Sequence, residues 1–345
     1  MGSRDILRGE WGLRGERSLS ALIFLLTPLL LGASALFWIP GVVRRPAAIR
    51  LPLALLGLCA LTLLKTPEVS VAQNEPIALE AISVLPVEGP ESNQPSGLFV
   101  HNDTLFTVSD KHDDTIFRIE LREDAAVFVP HVRFDPPRPF GVFRLDLEGI
   151  TRDEDGSFYL VSEGAFAILK VDADAKKASW VTTSLRDVGA SAGLFQTRGG
   201  YLEGITLMAE DRFLVTAERQ PCGLIEVDMA PVQRVVEIAN HGSTNSYTGL
   251  HREVENVYIL QRSTATIRKT IRYLDVDSPS AVWSFAHIVN DPEYLYQHEQ
   301  FGAKTAEGLA MDRDRVYVIL DNNNDARRMY PTDHRPLLLI MKRPD

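Results

Sequence analysis

Cysteine is nearly absent. Of the two in the chain, Cys59 lies inside an apolar run and Cys222 stands alone in the remainder, so no intrachain disulfide can brace the folded body and a disulfide scaffold is excluded. Three signatures of common chemistry are missing as well: there is no P-loop, no HExxH and no CxxC pair. One formal G-x-S-x-G match, Gly189 to Gly193, lacks the strand-turn-helix context that exposes a nucleophile. Positive charge is also short. Residues 1–65 hold 8 Lys+Arg and 3 Asp+Glu, which leaves 28 against 43 for the rest and a body with a net charge of about −15. Such a surface repels phosphate backbones, which excludes nucleic acid as a partner, and it attracts cations. What remains is an ordinary globular mixture, 345 residues with 45% hydrophobic side chains, 23 Gly and 20 Pro, and neither a disordered nor a collagen-like class fits it.

Long apolar runs are confined to the amino-terminal end. Residues 19–43 carry no charge and are long enough to cross a bilayer core of roughly 30 Å as a helix. A second run, 51–64, is shorter and has the length of a signal-peptide core. Arg44, Arg45 and Arg50 precede it, and Ser70-Val71-Ala72 follows with small residues suited to cleavage before Gln73. Two readings stand side by side: a two-helix membrane hairpin, or an export signal with an additional upstream helix. Both place the body outside the cytoplasm, in the periplasm or extracellular space. Residues 1–75 are therefore read as a membrane or signal region and 76–345 as the folded domain.

The body repeats itself. Units beginning SGLFVHNDTLFTVSD at Ser96, EGITRDEDGSFYLVSE at Glu148, EGITLMAEDRFLVTAE at Glu203, TGLHREVENVYILQR at Thr248 and EGLAMDRDRVYVILD at Glu307 share one pattern. Their glycines, Gly97, Gly149, Gly204, Gly249 and Gly308, lie 52, 55, 45 and 59 residues apart, close to the length of a four-stranded propeller blade. Alternation inside each unit has period two, which makes strands and not helices. Third strands follow at TIFRIEL, AILKVD, GLIEVD and TIRKTIRYL, and fourth strands at AVFVPHVRF, WVTTSL, VQRVVEIA and AVWSFAHIV. The expectation is an all-β propeller of five blades, six if residues 284–306 hold a degenerate one, each with four antiparallel strands. The last unit has only a third strand, RPLLLIMKR, while ALEAISVLPV precedes the first unit unassigned. Pairing the two closes the ring and leaves few exposed edges.

In a blade the first strand lines the central channel and the second returns antiparallel to it. The residue before each glycine and the residue ending the second strand then meet at one mouth. This pairs Ser96 with Asp110, Glu148 with Glu163, Glu203 with Glu218, Thr248 with Gln261 or Arg262, and Glu307 with Asp321. Seven carboxylates, Asp110, Glu148, Glu163, Glu203, Glu218, Glu307 and Asp321, converge, and like charges at close quarters call for a cation or arginines. Hard oxygen ligands suit Ca²⁺. A structural reading is also open: a glutamate before glycine can bond neighbouring backbone amides and hold the blades in register. Long loops at 135–147, 186–202, 240–247, 290–306 and 321–335 crowd the same mouth, with Lys111, Arg219, Arg262, Arg327 and Arg328 among them. Asp153-Glu154-Asp155-Gly156 has the start of a calcium loop but sits where a hairpin turn is required. Candidate catalytic groups are Glu148, Glu203, Glu307, His112 as a general base, and Arg262.

Taken as a set, SGLFVHNDTLFTVSD, the D-x-EGIT unit running from 146 to 163, EGITL with FLVTAER, and AEGLA with VYVILDNN resemble the family named esterase-like activity of phytase, and more loosely the SdiA-regulated-type propellers. The likeness spans nearly all of residues 78–343. It implies an exported or membrane-anchored propeller related to calcium-dependent phytases, acting on a small-molecule ester or phosphoester. The alternative is a non-catalytic propeller that binds a ligand or an envelope protein. Thr248 and Arg262 stand where the other units place acidic residues, a departure that argues against a symmetric metal cluster.

Overall fold

The computed structural model describes residues 75–344 apart from 92, 140, 176, 243–244, 272–275, 277 and 299–304. The apolar runs 19–43 and 51–64, Cys59 and the cleavage site before Gln73 lie outside the described residues. Among the described residues no helix is long and apolar enough to cross a membrane.

The period-two segments are strands. Before the first repeat come β1 (Ile77–Ala78) and β2 (Ala81–Glu88). The first repeat forms β3 (Pro95–His101), β4 (Thr104–Ser109), β5 (Thr115–Leu121) and β6 (Ala126–Arg133), and the second forms β7 (Leu147–Arg152), β8 (Phe158–Ser162), β9 (Ala167–Val171) and β10 (Ala178–Trp180). The third contributes β11 (Leu202–Ala209), β12 (Arg212–Ala217), β13 (Gly223–Asp228) and β14 (Arg234–Asn240). The fourth contributes β15 (Tyr247–Glu253), β16 (Asn256–Gln261), β17 (Thr266–Thr270) and β18 (Ala281–Ser284), and the fifth β19 (Ala306–Met311), β20 (Arg315–Leu320) and β21 (Leu337–Lys342). Within each repeat successive strands pair antiparallel.

Alternation explains how the sheets stack. In β16, Val257 and Ile259 enter the core shared with the third repeat, while Tyr258 and Leu260 enter the core shared with the fifth. In β20, Val316 and Val318 face the fourth repeat, and Tyr317 and Ile319 face the first. β4 and β8 divide their side chains in the same way, so five apolar cores alternate with the repeats in cyclic order. Each buried Leu, Ile or Phe adds about 1.5–3 kcal/mol, and both faces of every second strand are used. The result is an all-β, propeller-like ring. Its inner strands β3, β7, β11, β15 and β19 pack through their glycines. A Cβ on Gly97 would meet Gly149 Cα at 2.7 Å, and one on Gly308 would meet Ser96 O at 2.5 Å.

The ring closes as the sequence suggests, with one addition. β2 pairs antiparallel with β21, Ala81 opposite Met341 through Pro86 opposite Leu337. The expected single strand ALEAISVLPV breaks at buried Leu79, however, and β1 instead lies parallel to β18. The far end of β2 runs parallel to β6, Val87 opposite Ala126, which merges two repeats into an eight-stranded sheet.

Two fourth strands are shorter than expected. WVTTSL leaves its sheet after Trp180, because the Thr182 hydroxyl accepts the Ile168 amide at 2.9 Å in place of a ladder carbonyl. AVWSFAHIV is a strand only to Ser284, and residues Ala286–Val289 form a helical turn that buries Ile288 and Val289 in the adjoining core. The described part of 284–306 therefore holds a helix and turns, with Tyr296 bridging to Arg327 and no further sheet.

Candidate functional site

Register brings the repeat ends together. Pro95 lies opposite Ser109, Leu147 opposite Ser162, Leu202 opposite Ala217, Tyr247 opposite Gln261 and Ala306 opposite Leu320. The next residue on each strand therefore opens onto the same mouth. A cavity of about 670 Å³ sits there, lined by all seven carboxylates expected from the sequence together with Ser96, Arg262 and Lys111. Asp146, Arg144 and Arg219 line it too. Asp146 begins the D-x-EGIT run but lies just outside the repeat pattern, which starts at Glu148, and directly before β7.

One half of the cavity is neutralised by arginine. Arg262, at the end of β16, forms ion pairs with Glu218 of the third repeat and Glu307 of the fifth, and Arg219 also pairs with Glu218. The side chain of Glu218 is completely buried, and Ser246 Oγ donates to its Oε1 at 2.9 Å. Thr248, the other departure from the acidic pattern, gives its hydroxyl to Ala306 O at 2.7 Å. The fourth repeat thus supplies a counterion and an inter-repeat bond in place of two carboxylates.

The other half is carboxylate-rich. Asp110, Asp146 and Glu148 each offer one ligand oxygen, and the three atoms lie within 4.8 Å of one another. Lys111 pairs with Asp110 through Oδ2, while Asp110 Oδ1 is buried with no hydrogen-bond partner. Burial, with Asp146, Glu307 and Glu163 nearby, holds Glu148 well above the usual carboxylate range. Glu203 is raised likewise by burial and by Glu148 and Glu307. Burial pushes Glu163 and Glu307 up to about 7 and Asp321 up to about 6. An all-oxygen donor set, one donor of it orphaned, amid carboxyls reluctant to ionise together fits a hard divalent cation such as Ca²⁺.

The inter-repeat ties of the cavity glutamates run through side chains, Glu148 to Ser96 and Glu307 to Arg262. None of the hydrogen bonds among the described residues brings a backbone amide to Glu148, Glu203 or Glu307. Thr107 Oγ1 donates to Gly97 O at 2.7 Å and Gly204 N–H donates to Thr216 Oγ1 at 2.7 Å, inside single repeats. Glu163 bridges two repeats as well, its Oε1 accepting Tyr201 N–H at 3.1 Å from the next one.

Several sequence candidates fall outside the cavity. His112 packs its ring edge-on against Phe117 at 5.6 Å and is not part of the lining, because the tight turn after Ser109 carries it back over its own sheet. Arg327 pairs with Asp333 at 2.9 Å. Asp153 accepts Ser157 N–H at 2.8 Å and Tyr159 Oη at 3.0 Å, as a hairpin turn requires. In the G-x-S-x-G segment, Ser191 lies on an exposed helical turn and donates to Asp187 O at 2.7 Å. Asn323 lines the cavity, its amide donating to Asp321 Oδ1 at 2.8 Å.

The family model described as phytase-like, esterase-like activity of phytase, matches residues 94–324, and the chain belongs to that family. No curated protein matches it. Similar solved structures include glutaminyl cyclase from Myxococcus xanthus, at 11% identity and TM-score 0.49 over 79% of this chain and 100% of that one. The PQQ-bound aldose sugar dehydrogenase from Streptomyces coelicolor is 12% identical, with TM-score 0.45 over 77% and 98% of the two chains. Virginiamycin B lyase from Staphylococcus aureus is 11% identical, with TM-score 0.36 over 76% and 74%.

Proposed function

We propose that this phytase-like chain is an exported, membrane-associated propeller of five four-stranded blades that hydrolyses an ester or phosphoester of a small molecule with the help of a divalent cation. The observation that carries the reading is the convergence of Asp110, Asp146 and Glu148 on one point of the mouth, with Asp110 Oδ1 unpartnered. Support for the hydrolytic class comes from the family, and support for the membrane from the uncharged run 19–43.

Those three residues would hold the ion, which when bound supplies a Lewis acid and lowers the pKa of a coordinated water. The chain's own groups do the rest. Arg262, held between Glu218 and Glu307, keeps the far wall rigid and nearly neutral. Arg144 and Arg219 line the opening and are placed to meet an anionic substrate group by charge-assisted hydrogen bonds. Glu307 and Asp321, at about 7 and about 6, can exchange protons near neutrality.

The test is hydrolysis of p-nitrophenyl acetate and p-nitrophenyl phosphate by chelator-stripped protein with Ca²⁺, Mg²⁺ or neither. Glu148→Gln is expected to abolish turnover without unfolding the domain, and retained turnover removes Glu148 from the mechanism. Among the described residues the cavity lining has no histidine and hence no Ser–His pair, which favours a second reading, a non-catalytic mouth for a ligand or envelope protein. Cation binding without turnover on either substrate selects that one.

A further inference from the structure

We propose that Asp113 is the residue that positions Asp146 for the cation, an inference that rests on reading Asp110, Asp146 and Glu148 as its ligands. Asp146 belongs to the connection between β6 and β7, which spans residues 134–146 and has no strand of its own. Asp113 belongs to the loop between β4 and β5, on the preceding sheet. Its carboxylate takes three donors from that connection. Leu145 N–H lies 3.0 Å from Oδ2, Asp146 N–H lies 3.2 Å from Oδ1, and Arg138 Nη1 lies 2.9 Å from Oδ2.

The arrangement fixes Asp146 from both sides of its Cα. Its backbone has φ +55°, a left-handed conformation that residues other than glycine seldom hold without outside support. On the amino side Asp113 receives its N–H. On the carboxyl side its C=O accepts Glu163 N–H at 2.9 Å. The side chain is then left to meet Asp110 and Glu148. Asp113 is no ligand itself, since both its oxygens are engaged. Asp110, three residues earlier, has the unpartnered oxygen. Two aspartates of one loop thus divide the work: Asp110 faces the ion, and Asp113 clamps the neighbouring loop that brings the second ligand. Outer carboxylates of this kind typically change metal affinity by about 10- to 100-fold.

The experiment is calorimetric titration of the full chain with calcium chloride, for wild type, Asp113→Ala, Asp113→Asn, Asp146→Asn and the double variant Asp113→Ala with Asp146→Asn. The expected result is a Kd for calcium raised at least about tenfold by Asp113→Ala and less by Asp113→Asn, which keeps one acceptor oxygen. In the Asp146→Asn background Asp113→Ala should add nothing, because its effect passes through Asp146. A merely structural role would instead add the same loss in both backgrounds. An unchanged Kd in both Asp113 variants, or full additivity, overturns the inference while leaving the cation site standing. Wild-type protein that binds no calcium overturns the cation reading and this inference with it. If Asp113→Ala fails to fold, Asp113→Asn and its double variant with Asp146→Asn decide the matter alone.

Discussion

Arg262 reaches from the fourth repeat to Glu307 of the fifth, and the same guanidinium pairs with Glu218 of the third. One cation therefore ties three consecutive sheets together at the mouth, where the sequence pattern would have put another carboxylate. Glu307 and Glu203 both contribute to holding the Arg262 guanidinium charged despite its burial.

Removing it should be costly. Arg262→Ala leaves the fully buried Glu218 paired only with Arg219, and leaves Glu307 without a charge partner. Breaking a buried pair by deleting one member typically costs about 3–5 kcal/mol. Denaturant unfolding should register a loss of that order, and Arg262→Lys should recover part of it, since an ammonium can satisfy one glutamate but not fork between two.

The metal-free protein should lose stability as pH rises from acid to just above neutrality. Glu163 and Glu307 at about 7 and Asp321 at about 6 lie above their ordinary values of 4.5 and 3.8, so between those limits the folded chain binds more protons than the unfolded one. Their contribution is complete below about pH 4 and is lost as pH rises through 7. His131, pushed down by burial and Arg152, acts in the opposite sense around 6.5. The melting midpoint of chelator-treated protein should fall between pH 6 and pH 8, and Glu163→Gln should flatten the fall. A midpoint that rises over that interval would refute the assignment.

Close packing of the inner strands sets a third expectation. A methyl group on Gly308 would stand 2.5 Å from Ser96 O and 2.8 Å from the Leu98 amide nitrogen. Backbone cannot yield there without parting the first and fifth repeats, so Gly308→Ala should destabilise by about 1–3 kcal/mol or more, measured by thermal melting. Gly199→Ala meets no atom within 4 Å and has φ +66°. It should cost only the strain of that backbone.

Calcium should raise the melting midpoint through the trio alone. At about one hundred times Kd a ligand specific for the folded state adds about 2.7 kcal/mol. Asp110→Asn should erase the shift. Asp321→Asn should preserve it, because Asp321 lies in the cavity wall outside the group of converging oxygens. Loss of the shift in both variants would mean that the ion draws on the wider ring of carboxylates.

The repeat arrangement was legible because period-two alternation serves two cores at once. Val257 and Tyr258 each need a different neighbour, and only sheets stacked on both faces supply them. Register followed too: once the strand pairs are fixed, the residue before each glycine must meet the end of the next strand, and the seven acidic candidates duly line one cavity. Where the ladder ends was not legible. Trp180 ends its strand because the Thr182 hydroxyl takes the Ile168 amide, and Ser284 because a helical turn follows that buries Ile288 and Val289 in the adjoining core.

Chemistry divides in the same way. Sequence alone determined the all-β ring and the acidity of its mouth, since both follow from local alternation and spacing. Tertiary structure decided which carboxylates share an arginine and which converge without one, and it put Asp146 in the cavity lining and His112 outside it. Those distinctions depend on loops whose backbone is set by partners distant in sequence. Asp113 bonded to Leu145 and Asp146 is one example, and no local pattern encodes it.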